Sequence, residues 1–105
     1  MTSTPKPSSK RAPLPRQSFY EKRFTKDWQR LIRSGRYDMN TRKEVMLLLI
    51  ANNGPLPPEW RDHELVADWT GHRECHAGGD FLLIYRLEGD KIVFVRAGTH
   101  ADLFD

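Results

Sequence analysis

Cysteine is almost absent from this chain of 105 residues: Cys75 is the only one, so no disulfide can form within it. Nothing in that count points to an oxidising compartment. Long apolar runs are missing as well. The longest, from Val45 to Ala51, is far too short to span a bilayer, and the opening residues carry no apolar core of the signal-peptide kind. Acidic residues are scarce at first: residues 1 to 43 hold twelve Lys/Arg against three Asp/Glu, a charge of +9. Residues 44 to 105 hold five against eleven, a charge of −6, so the whole carries +3. A single cytosolic domain with no membrane partner is expected, since two cores in so short a chain would each be too small. Its basic half suits a phosphate-rich partner, because each phosphate neutralised by Lys or Arg releases counterions; a merely solvated basic face is the competing reading.

Residues 1–17, MTSTPKPSSKRAPLPRQ, mix proline and basic residues with Ser and Thr and offer almost nothing to bury. They read as a flexible basic tail ahead of one domain over 18–105. Ser18 to Phe24 is predicted as a first strand. Thr25 is then placed to cap a helix whose Trp28, Leu31 and Ile32 share a face, with Asp27 in its first turn, Arg30 and Arg33 near its end and Gly35 as its stop. Thr41-Arg42-Lys43-Glu44 fits a capping box for a second helix, which runs through Val45, Leu48 and Leu49 to Gly54-Pro55. Pro55, Pro57 and Pro58 break regular structure, so Glu59 to Trp69 is expected to be an irregular loop with a helical turn. Strands are predicted at Thr70–His76, Phe81–Leu87 and Ile92–Ala97, separated by Gly78-Gly79 and Gly89-Asp90. A helical pair followed by strands makes the chain α+β.

If both Gly-containing loops have two residues, the register is fixed. Glu88 pairs with Lys91, hence Leu83 with Arg96 and Asp80 with Thr99; Ala77 pairs with Asp80, hence His76 with Phe81 and Glu74 with Leu83. His76, Asp80 and His100 then meet at one end of the sheet. Alternation puts Arg73, Cys75, Leu82, Ile84, Val93, Val95 and Ala97 on a face toward the helices. His72, Glu74, His76, Phe81, Tyr85 and Arg96 take the opposite face, the candidate working surface.

His63, His76 and His100 come from separate segments and titrate near neutral pH, as a general acid and base require. RNA cleavage is one reaction they serve: a base removes the ribose 2′-OH proton, the oxygen attacks phosphorus, and an acid protonates the departing 5′ oxygen. Arg96 is the cation expected on the histidine face, with Arg73 beside it in sequence but pointing away. Asp80 is placed to orient an imidazole, and Phe104 to stack on an exposed base. Lys22, Arg23, Arg30 and Arg33 are the candidate RNA-binding cations of the first helix. Each has an ordinary structural alternative: a turn cap for Asp80, a core plug for Phe104, a pair with Glu74 for Arg96. His72, Cys75 and His76 cluster like metal ligands, but a strand sends Cys75 to the other face, so no metal site and no cofactor are expected. The same orientation argues against Cys75 as a nucleophile.

The segments DHELVADWTGHRECH and DFLLIYRLEGDKIVFVRAGTHADLF resemble the C-terminal half of the YafQ toxins of the RelE/ParE superfamily, and the likeness extends more weakly back to about Phe19. The resemblance implies a RelE-like fold: a small twisted mixed or antiparallel sheet of about four strands, with a two-helix hairpin on one face and the active groove on the other. It implies catalytic places for His63 of the DH motif, His76 at a strand end, Asp80 opening the next strand and His100 of the terminal THxxLF motif, which also supplies Phe104. Glu74 joins this set where the family commonly has Asp, and Phe81 stands where it commonly has Trp. The activity implied by the resemblance is that of a metal-independent endoribonuclease acting on mRNA in the ribosomal decoding site and silenced by a cognate antitoxin. The competing readings are a non-catalytic ParE-like inhibitor of a target such as DNA gyrase, which lacks these histidines, and a binding module whose basic helices only hold a partner.

Overall fold

The computed structural model describes residues 14–104, so residues 1–13 of the expected tail lie outside the described residues. Its described end is tied to the body. Arg16 donates its amide to the Ile50 carbonyl (2.8 Å) and its guanidinium to that of Leu49 (2.6 Å), and the Leu14 carbonyl accepts from the Asn52 side chain (3.1 Å).

The elements run β1 (Gln17–Tyr20), α1 (Lys22–Ser34), α2 (Met39–Ala51), β2 (His63–Glu64), β3 (Arg73–His76), β4 (Phe81–Glu88), β5 (Lys91–Thr99) and α3 (His100–Phe104). Single 3-10 turns at Pro58–Trp60 and Ala67–Trp69 occupy the proline-rich loop. The sheet has five strands in the order β1-β5-β4-β3-β2, one more than expected because the two residues of β2 pair with β3. β1 is parallel to β5 and the other pairs are antiparallel, so the sheet is mixed.

The first helix starts earlier than Thr25. Phe24 belongs to α1, where it stacks on Trp28 (5.6 Å between ring centroids) and meets Phe94 of β5 (5.6 Å). Aromatic content suits strands, but the i, i+3, i+4, i+7 set Phe24, Asp27, Trp28 and Leu31 makes one helix face. Ile32, expected on that face, is more than half exposed. Gly35 ends the helix as expected, in the left-handed conformation (φ 67°) with its amide on the Ile32 carbonyl. For α2 the cap is Asp38 rather than Thr41: its Oδ1 accepts from the amides of Asn40 and Thr41, and the Thr41 hydroxyl donates to Oδ2. α2 buries Val45, Met46 and Leu49 and stops at Asn52, short of Gly54-Pro55.

Two local features alter the expected register. The loop between β3 and β4 holds three residues, Gly78, Gly79 and Asp80, closed by Ala77 N–H to Phe81 O (2.8 Å) and Phe81 N–H to Gly78 O (3.0 Å). Positive φ at both glycines, 105° and 57°, makes this turn possible. Glu74 therefore pairs with Ile84 and His76 with Leu82, a slip of one residue that exchanges the faces of β4. The second turn does pair Glu88 with Lys91, but a bulge at Ile84/Tyr85 sets Ile84 opposite Arg96 and Leu83 opposite Ala97.

As a result the sheet carries a core on each side. Phe81, Leu83, Tyr85, Ile92, Phe94, Cys75 and Ala97 pack under α1 and α2 with Phe24, Leu31, Val45 and Leu49. Leu82, Ile84, Val93 and Val95, expected under the helices, lie on the opposite face, where Leu103, Phe104, Leu65 and Trp69 cover them. Phe81 and Tyr85 make the reverse exchange. Cys75 faces the helical side as expected, and burial pushes its thiol far above the usual range, which removes it as a nucleophile.

Candidate active site

Glu74 is the centre of the site. It is buried, 6% exposed, and its Oε2 lies 3.3 Å from His63 Nε2 and 3.7 Å from His76 Nε2. Two strands make this meeting. Alternation along β3 puts Glu74 and His76 on the far face, two positions apart, as expected, and β2 pairs His63 directly opposite Glu74. The His63 and His76 rings are 6.2 Å apart. Glu74 Oε1 is buried and has no hydrogen-bond partner among the described residues. A carboxylate oxygen left this way retains an unused acceptor capacity toward a ligand.

His63 is held from both sides. Its Nδ1 is 2.6 Å from the Arg61 carbonyl while Nε2 faces Glu74. Both ring nitrogens thus meet acceptors, an arrangement in which both donate only when the ring is protonated. His76 is different: burial, helped by the charges of Arg61, His63 and His100, lowers its pKa below the ordinary imidazole value, against the opposing pull of Glu74.

The last turn of chain brings the third histidine. Gly98 (φ 154°) allows Asp102 to approach so closely that a Cβ at 98 would lie 2.9 Å from Asp102 Oδ2. Thr99 and Asp102 then cap one another, Thr99 N–H on Asp102 Oδ2 (3.0 Å) and Asp102 N–H on Thr99 Oγ1 (3.2 Å). That reciprocal cap opens α3 at His100 and sets Phe104 one turn later, with its ring 4.9 Å from the imidazole. His100, Phe104, Leu103, Trp69 and Glu74 line a groove of about 450 Å³.

Asp80 does not join the histidines. It lies in the three-residue turn beside a separate depression lined by Arg30, Arg36, Tyr37, Thr99 and Asp102, and no hydrogen bond links it to an imidazole among the described residues. The carboxylate that touches the imidazoles is Glu74. Arg96 is also displaced from its expected place: Asp27 of α1 binds it through two contacts, Nε–Oδ2 at 2.6 Å and Nη2–Oδ1 at 3.2 Å. Arg73 points away, as expected, onto Asp62 (3.3 Å) and Glu64 (3.6 Å). Of the α1 cations, Arg30 pairs with Asp27 and Asp102, Lys22 and Arg33 are exposed, and Arg23 reaches the Trp69 ring at 5.9 Å. His72 packs edge-on against Trp69. No group of three or more metal-ligating side chains occurs among the described residues.

Asp62, Arg61 and Trp69 carry parts of the site that pattern reading missed. Asp62 accepts from the Tyr85 hydroxyl and from Arg73, fixing the loop that delivers His63. Its signal was the DH dipeptide, in which only the histidine suggested chemistry.

A buried carboxylate between two imidazoles, a third imidazole across an aromatic-lined groove and a basic helix alongside make a compact acid–base site on a small mixed sheet. The same architecture occurs in the DinJ-YafQ complex from Escherichia coli, with a TM-score of 0.77 at 42% identity, covering 86% of this chain and 99% of that one. The chain is 44% identical over 85 residues to the mRNA interferase toxin YafQ of Escherichia coli, covering 81% of this chain and 91% of that protein. It is 34% identical over 87 residues to a putative toxin YafQ of Haemophilus influenzae, covering 78% and 85% respectively. The family model for the bacterial toxin of the type II toxin-antitoxin system, YafQ, matches residues 16–105. The chain belongs to the YafQ family of type II toxins.

Proposed function

We propose that this toxin is an endoribonuclease that cuts mRNA in the ribosomal decoding site and is held inactive by a cognate antitoxin. The contact of Glu74 with both His63 and His76 carries this reading, because it gathers two imidazoles around one buried carboxylate beside the groove that His100 lines. His76, whose proton affinity is lowered by burial, is suited to take the ribose 2′-OH proton. The 2′ oxygen attacks phosphorus, the P–O5′ bond breaks, and one of the two exposed histidines, His63 or His100, gives the 5′ oxygen its proton. Phe104 and Trp69 offer stacking surfaces for an unpaired base. The relatives' names support the substrate class.

The products test the chemistry. Cleavage of ribosome-bound mRNA by the purified toxin is expected to leave a 2′,3′-cyclic phosphate and a 5′-hydroxyl, and a 2′-deoxy residue at the cut is expected to abolish it. Substituting His63, His76 or His100 by Ala should each slow single-turnover cleavage by about 10²-fold. A 5′-phosphorothiolate linkage, whose thiolate leaves without protonation, should rescue only the variant lacking the acid. Products with 5′-phosphate ends would overturn the mechanism.

The basic face is expected to bind ribosomal RNA. Replacing Lys22, Arg23 and Arg33 with Gln should weaken ribosome association and reduce its logarithmic salt slope by roughly one for every phosphate no longer neutralised. An unchanged slope would leave these residues as solvated surface only.

A further inference from the structure

The site has imidazoles and a carboxylate but needs positive charge where a pentacovalent phosphorane develops. Its expected arginine, Arg96, is neutralised by Asp27, Arg73 by Asp62 and Glu64, and Arg30 by Asp27 and Asp102. Arg61 differs from all three. Its side chain is exposed, and its guanidinium makes no hydrogen bond or ion pair among the described residues. Its carbonyl is bound to His63, and its charge reaches His76.

Its backbone is a second, separate observation. Arg61 follows the Pro58–Trp60 turn in the left-handed conformation, φ 50° and ψ 45°, with its amide on the Pro58 carbonyl. A Cβ is disfavoured there by its closeness to the following carbonyl oxygen, and Gly or Asn would fit more easily. A strained position occupied by a long, unpaired cation, whose main chain already orients an active-site histidine, suits a side chain kept for what it binds.

We propose that Arg61 contacts a non-bridging oxygen of the scissile phosphate and stabilises the charge that builds there during cleavage. This rests on the endoribonuclease reading. The guanidinium offers the paired donors that suit phosphate oxygens, the Arg61 carbonyl holds His63, and the Arg61 charge acts on His76.

The test uses the full toxin and ribosome-bound mRNA carrying either phosphorothioate diastereomer at the cut. At saturating toxin, R61Q should cleave about 10²-fold more slowly than the parent, with R61K between them. The parent should discriminate between the diastereomers, and R61Q should lose that discrimination. R61G should melt at or above the parent temperature, since it relieves the backbone strain, yet cleave as slowly as R61Q. His76 is faced by Glu74, His63, His100 and Arg61, so loss of the Arg61 charge should also move the rising limb of the pH–rate profile to higher pH. Full activity of R61Q beside an active parent overturns this inference alone. So does a defect confined to ribosome affinity with the saturated rate unchanged. A parent that leaves mRNA intact overturns the functional reading and this inference with it.

Discussion

Glu74→Gln is expected to slow single-turnover cleavage by about 10²-fold without lowering the melting temperature. The amide has nearly the carboxylate's shape, so its packing on the far face of the sheet should persist. It cannot, however, accept from His63 and His76 through one oxygen while holding the charge that supports a protonated ring. Removing a buried carboxylate also lifts a desolvation cost, so the variant should be as stable as the parent or more so. A pH–rate profile separates this from general damage. Glu74 holds the His76 pKa up against burial, so its loss should let that pKa fall further. A base works when deprotonated; the rising limb should therefore move to lower pH, opposite to the shift expected for R61Q. Near-parental activity in Glu74→Gln would show that the imidazoles work without the carboxylate.

Asp27→Ala is expected to cost about 3 kcal/mol of stability, read as a fall in Tm on the order of 15 °C. Asp27 is 6% exposed and occupies the edge of β5 beyond the reach of β1. There its Oδ2 accepts from the Ala97 amide (3.1 Å) while both oxygens hold Arg96. Alanine leaves a buried amide and a partly buried guanidinium without an acceptor, and each loss is costly. Pairing the change with Arg96→Met should recover part of the stability, because the stranded charge goes with it. A fall below about 1 kcal/mol would mean that water replaces the carboxylate at this edge.

Helix positions, the three long strands and the Glu88–Lys91 turn were legible because each rests on local chemistry: Gly35 at a left-handed cap, aliphatic runs, Gly89-Asp90. The faces of β4 were not, since they depend on whether Asp80 belongs to the loop or the strand, and that choice moves every side chain from Phe81 to Leu87 to the other side. The bulge near Val95 has no signal in residue type either. His63, His76 and His100 were named from composition and resemblance, whereas the contact of Glu74 with His63 depends on the two-residue strand β2, which pairs with β3 inside a segment that reads as an irregular loop. Asp80 and Arg96 lie away from their expected places because those places came from an idealised register, whereas loop geometry and the ion pair with Asp27 decide where they sit.

The far-face core has an evolutionary implication. Leu103, Phe104 and Trp69 cover Leu82, Ile84, Val93 and Val95, and the same three residues form walls of the groove. Substitutions that reshape the groove for a different nucleotide also thin the hydrophobic plug beneath it. Drift in recognition should therefore be paid for in foldedness, and lineages that change it should carry compensating enlargements among Leu82, Ile84, Val93 and Val95.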